Sequence, residues 1–179
     1  MRMHLRSHIE INAPATQVWH VIAHQFDAIG QWASSIHASY AVPEAPAPLG
    51  AEVGARVCAP GVRGFKDVRE QFTFYDEQAM RFAYEATAGL PWVVRRAENH
   101  WHVRPLGQSR CEVEAQAEVD LRAVPGVFLA PLLKMQMHRL GRQVFEELKY
   151  YVEHGQPHPR KVVRAGDARQ ARQSVSARR

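Results

Sequence analysis

Arg110-Cys111-Glu112-Val113-Glu114-Ala115-Gln116-Ala117-Glu118-Val119-Asp120-Leu121 is the stretch that decides the fold. Polar and apolar side chains alternate along it without a break, the period of a strand with one wet and one dry face. The runs before it read the same way. Ala55 to Ala59, Phe65 to Tyr75, Ala79 to Ala88 and Val93 to Val103 form a series of strands. Asp76-Glu77-Gln78 and Pro105-Leu106-Gly107-Gln108-Ser109 fit hairpin connections, so neighbours in sequence should pair antiparallel.

Downstream the period changes. Leu133, Met137, Leu140, Val144, Leu148 and Tyr151 recur at three- and four-residue steps, opposite Lys134, Arg139, Arg142, Glu146 and Lys149. That is one amphipathic helix after Pro125-Gly126, with Pro131 suited to its first turn, an end near Glu153 and Gly155 as the stop. Upstream, His8 to Ile11 alternates as a strand. Asn12-Ala13-Pro14 opens a helix burying Val18, Trp19, Ile22 and Phe26, and a second short helical piece covers Asp27 to Ser35. A strand from His37 to Val42 and a Pro/Ala/Gly-rich connector from Pro43 to Gly54 complete the order. The expected class is α+β: a curved antiparallel sheet of about seven strands wrapped around a long C-terminal helix, with two short helices after the first strand.

Composition bounds the function. The 179 residues are 46% hydrophobic and 23% charged, enough for one globular domain. Residues 160–179 carry seven Lys and Arg against Asp167 alone, so the whole net charge of +5 comes from there and the rest is close to neutral. The domain is expected to span 1–154, and 155–179 to be a basic, solvated tail. The sequence has no apolar run of transmembrane length and no signal-peptide core near its start, and cytoplasm is the default expectation. Cys58 and Cys111 are read as free, buried thiols. No phosphate loop, nucleophile elbow or dinucleotide fingerprint is present, so no cofactor is expected and any chemistry would be proton transfer.

The dry face suggests a cavity. Ala115 and Ala117 occupy successive inward positions of the last strand, Ala86 and Ala88 end another, and Gly141 lies on the inner edge of the helix. A glycine within a helix costs ~1 kcal/mol against alanine, which points to close approach or empty volume there. Phe72, Tyr84, Ala86, Ala115, Ala117, Leu133, Met137 and Gly141 are the lining candidates for a small, largely apolar ligand. Glu70 shares its face with Val68, Phe72 and Phe74, so it must be protonated, paired with Arg95 or Arg96, or wet from the cavity. His37, Glu70 and Tyr84 are the candidates for acid/base catalysis, and His37 with Glu70 would suffice to enolise or dehydrate a ketone. The strand Arg96 to His102 reads in two phases. Plain amphipathicity turns Ala97, Trp101 and Val103 inward, and a solvated face of Glu98, His100 and His102 is favoured over a metal site.

These motifs resemble the START-like, or helix-grip, superfamily, specifically its bacterial polyketide cyclase/dehydrase and lipid-transport branch. The carriers of the resemblance are Ile9-Glu10-Ile11-Asn12-Ala13-Pro14 followed by Val18-Trp19, then Trp32. Val68-Arg69-Glu70-Gln71-Phe72, Tyr75-Asp76-Glu77 and Ala88-Gly89-Leu90-Pro91 are similar to the abscisic acid receptors and their relatives. The resemblance implies a gate loop at Pro60-Gly61-Val62 and a latch loop with Leu90 and Pro91 at the ligand. It also implies that Glu70, Arg96 and Glu98 reach the cavity and that His37 stands in place of a ligand-binding lysine. It implies a binder or carrier of a small hydrophobic molecule such as a lipid, polyketide or quinone, or a cyclase/dehydratase in the same cavity. The chain is expected as a monomer or homodimer without a membrane span. The basic tail, lacking aromatic residues, is not expected to recognise a specific nucleic acid.

Overall fold

The computed structural model describes residues 1–60 and 66–165, with the backbone alone for 123–130 and Leu133. Seven strands form one antiparallel sheet: β1 (Arg2–Ile11), β2 (Ala38–Ala41), β3 (Ala55–Ala59), β4 (Val68–Asp76), β5 (Arg81–Ala88), β6 (Val94–Pro105) and β7 (Cys111–Leu121). Their order across the sheet is β1-β7-β6-β5-β4-β3-β2. Strands β2 to β7 pair with their sequence neighbours, and β1 closes on β7 from Arg2 opposite Asp120 to Ile11 opposite Cys111. Between β1 and β2 the chain runs through α1 (Ala15–Trp19), a π-helical turn and a 3₁₀ segment (Phe26–Gln31). The long helix α2 (Ala123–His154) packs against the inner face of the sheet, nearest to β1.

The alternation of β7 is realised in space. Cys111, Val113, Ala115, Val119 and Leu121 are buried, with the intervening polar residues half-buried on the outer face. The core is aromatic, because the inward residues of β4, β5 and β6 meet those of the opening helical segment. Phe26 lies 4.1 Å from Phe72 and 5.3 Å from Tyr84, and Trp101 stacks between Phe82 and Phe145. Trp19, Phe26, Phe82 and Leu148 are each almost wholly buried, a gain of about 1.5–3 kcal/mol apiece for side chains of this size.

The fold departs from the sequence expectation at four places. Strand β1 begins at Arg2, not His8, since Met3 and Leu5 bury the dry face between exposed Arg2, His4 and Arg6. A bulge between Phe72 and Phe74 reverses the parity of β4, so Phe74 is exposed and leaves the face it shares with Glu70 in a regular strand. Helix α2 starts eight residues before Pro131, which lies inside it, and Pro125 takes the first-turn place that suits proline. Residues 159–165 are helical and dock on the domain, where a solvated tail was expected. Gly155 does end α2, at φ +67°, with its N–H donated to the Tyr151 carbonyl.

Candidate functional site

Between the sheet and α2 lies a cavity of about 260 Å³. Leu5 and Ser7 of β1 and Ala115 and Ala117 of β7 form one wall, where two successive alanines leave unfilled the space larger side chains would occupy. Ile29, Ser35 and Ile36 form the wall from the crossover. Met137, His138, Leu140, Gly141, Val144 and Phe145 of α2 cover it, with exposed His138 and Leu140 on its outer side. Gly141 serves the close approach the sequence suggests: a Cβ there would meet the Ser7 hydroxyl at 3.3 Å, tight against β1.

The inner end is polar. Arg56 and Glu70 face each other across β3 and β4 as register partners, and Arg56 Nε donates to Glu70 Oε2 at 2.6 Å. The guanidinium donates a second bond to the Phe26 carbonyl at 2.7 Å and lies 3.9 Å over the Phe26 ring. Burial works against the charge on Arg56, but Glu70, Cys58 and Tyr84 together outweigh it, and the group is held above its ordinary range. Cys58 is 3.6 Å from Glu70 Oε2, and burial, with Arg56 opposing it, pushes the thiol up to about 12. Tyr84 is buried beside this pair. Burial first, then Glu70, raises its hydroxyl well above the usual phenol range, so it stays protonated as a donor.

Of the residues expected at the ligand, Glu70, Tyr84, Ala115, Ala117, Met137 and Gly141 line this cavity. Phe72 does not: it packs on Phe26, Tyr75 and Phe82 inside the core. His37 does not line it either. Its backbone N–H donates to the Ala59 carbonyl at the edge of the sheet. Ala86 and Ala88 lie beyond the cavity wall, Leu90 and Pro91 stand off it, and the Gly89 turn between them is fixed by φ +81° and contact with Asp67. Gly61 and Val62 of the expected gate and the Leu133 side chain lie outside the described residues.

Strand β6 resolves the two phases in favour of plain amphipathicity. Asn99 and Trp101 reach the cavity, whereas Arg96 sits on the outer face, bonded to Glu98 and Glu85. Glu98 is buried there under Thr73 and Arg96 instead of in the cavity. Among the described residues no group of three or more His, Cys, Asp or Glu side chains is placed to hold a metal ion.

Sequence reasoning misses Arg56, which it never singles out. Ala55-Arg56-Val57-Cys58 is too short for its alternation to stand out, yet Arg56 and Cys58 share a parity, and a buried cysteine would have placed the arginine inward. A further buried acid is missed as well. Glu147 is fully buried on α2, where its oxygens accept from the Ser34 N–H and Oγ at 2.7 Å each. Arg160 of the docked C-terminal segment lies 3.7 Å from it, and Lys161 and Arg164 donate to the Ile36 and Ser34 carbonyls.

Known proteins match this geometry. A START superfamily protein from Mycobacterium smegmatis superposes with a TM-score of 0.68 at 16% identity, covering 84% of this chain and 97% of that one. A truncated norcoclaurine synthase from Thalictrum flavum gives 0.62 at 16%, covering 86% and 95%. The di-domain ARO/CYC BexL from the BE-7585A biosynthetic pathway gives 0.68 at 17%, with 84% of this chain matching 46% of that one. At such identities these likenesses speak for the fold alone. No curated protein matches the chain significantly. No helix among the described residues is long and apolar enough to cross a membrane. The family model for polyketide cyclase / dehydrase and lipid transport matches residues 2–153, and the chain belongs to that family.

Proposed function

We propose that the protein binds and carries a small, mostly apolar molecule in the cavity between sheet and α2. The observation that carries this reading is the cavity itself: about 260 Å³ left open under a long helix by Ala115, Ala117 and Gly141, and walled by Leu5, Ile29, Ile36 and Val144. Apolar walls with a few converging polar groups are the general design of a small-molecule site. The charged pair at its inner end is neutral as a unit, so an uncharged ligand meets no unpaired charge.

Acid/base catalysis of the cyclase or dehydratase kind, with His37, Glu70 and Tyr84 as its groups, is the second reading. It has less support. Glu70 is already paired with Arg56, and His37 is not among the residues lining the cavity. Tyr84, kept protonated, is suited to donate a hydrogen bond to a ligand oxygen. A role for the basic tail in binding phosphates is weakened because Arg160, Lys161 and Arg164 are already engaged with Glu146, Ile36 and Ser34.

The test is extraction of the natively purified protein with organic solvent, followed by mass spectrometry and a titration with a small neutral fluorophore, 1-aminoanthracene. A co-purifying hydrophobic compound at a fixed ratio to protein, or saturable 1:1 displacement of the probe, is the expected result. No compound and no saturable probe binding would overturn the reading.

A further inference from the structure

Two buried indole N–H groups, Trp32 Nε1 and Trp101 Nε1, have no hydrogen-bond partner among the described residues. An indole nitrogen can only donate, so each needs an acceptor that the protein does not provide. The two rings come from distant parts of the chain, Trp32 just after the 3₁₀ segment and Trp101 in the middle of β6. Both nevertheless line one small void of about 10 Å³, together with Ile29, Arg56 and Tyr84. Ile29, Arg56, Tyr84 and Trp101 also line the main cavity, which makes this void its inner extension. Its size suits one oxygen atom or one water.

Neither indole is free to look elsewhere. Trp101 is stacked 5.3 Å from Phe145 and 6.0 Å from Phe82, nearly parallel to both, and Trp32 is 3% exposed. The Trp101 N–H is directed toward the Tyr84 hydroxyl, and it counters part of the rise that burial imposes on that group without closing a hydrogen bond to it. The inner end therefore gathers two unused donors and a protonated phenol. Arg56, the nearest cation, is already committed to Glu70 and the Phe26 carbonyl. An anionic oxygen would arrive without a counter-charge, whereas a neutral acceptor satisfies the donors at no electrostatic cost.

We propose that the inner end of the cavity is a carbonyl-binding subsite. The ligand seats a neutral ketone or quinone oxygen against Trp101 Nε1 and the Tyr84 hydroxyl, with Trp32 Nε1 behind, and its hydrocarbon body lies between Ala115, Ala117 and α2. This rests on the ligand-binding reading above and narrows it from any apolar molecule to one bearing an uncharged acceptor.

The experiment is a titration of the full chain, by calorimetry, with tetralin and α-tetralone, two bicyclic compounds of one skeleton that differ by a carbonyl. The expected result is α-tetralone binding about tenfold more tightly or better, the order of one net hydrogen bond. In Tyr84→Phe and in Trp101→Phe the ratio of the two affinities should fall to about threefold or less, whatever the change in tetralin affinity itself. Thermal melts check that each variant folds, and Tyr84→Phe, which removes one oxygen atom only, carries the test if Trp101→Phe does not. Equal affinity for the two compounds would overturn the subsite and leave the ligand-binding reading standing. A preference that persists in both variants would overturn the assignment to these donors, and failure of both compounds to bind would overturn both readings.

Discussion

Glu70 and Glu147 are two acids buried by opposite means, and the difference separates what the sheet provides from what the C-terminus provides. Glu70 is matched within the sheet, by the arginine directly across from it on β3. Glu147 has no such neighbour. Its oxygens are held by a backbone N–H and a hydroxyl at Ser34, and its nearest cation comes from residues after the end of α2. The first pair closes the cavity's inner end; the second pins α2 to the crossover that forms the cavity's side wall. A self-contained pair makes a dry, neutral floor, while a distributed one ties the roof to a segment that could be cut away.

The largest effect should come from breaking the self-contained pair. Arg56→Leu leaves Glu70 buried without its partner, at a cost of about 3–5 kcal/mol, and adding Glu70→Leu should restore most of that loss. Urea unfolding of the two single variants and the double measures this. The distributed pair should behave differently. Glu147→Leu strands the Ser34 N–H, costing about 1–3 kcal/mol, and Ser34→Ala cannot rescue it because the stranded donor is backbone. If the double variant recovers its stability, the backbone bond is not what holds α2.

Removing residues 157–179 should cost about 1–2 kcal/mol, through the loss of the bonds from Lys161 and Arg164 and the charge of Arg160 near Glu147. That loss should shrink as salt is raised, whereas the Arg56 effect should not. The smallest effect concerns Cys58. Its thiol ionises near 9.0 when exposed and near 12 when folded, so the folded state keeps a proton that the unfolded chain releases. The stabilisation is complete below pH 9 and is lost as pH rises toward 12, a drop of about 1 kcal/mol by pH 10. Cys58→Ala should flatten the melting curve over that interval.

The contrast also explains what could be read from the chain. Alternation in β7 and the three- and four-residue steps of α2 are local patterns, and they lead to the sheet, the helix and the cavity wall at Ala115, Ala117, Met137 and Gly141. The partner of Glu70 is a matter of register between strands. Arg95 and Arg96 look equally available in sequence, and only the pairing of β3 with β4 brings in Arg56. The bulge that turns Phe74 outward is equally invisible, since its residues keep a perfect alternation. The tail misleads because composition registers its charge but not the buried Glu147 that draws Arg160 and Lys161 onto the domain. His37, placed by analogy with a family, is not among the residues that line the cavity.

If the space under α2 is a ligand site and not an incidental packing gap, filling it from the wall with Ala117→Leu should displace the ligand. Titration with the neutral fluorophore 1-aminoanthracene should show affinity reduced about tenfold or more while the melting temperature stays within a few degrees of the parent protein, since the added side chain enters existing volume. Undiminished probe binding by a folded Ala117→Leu protein would contradict the account.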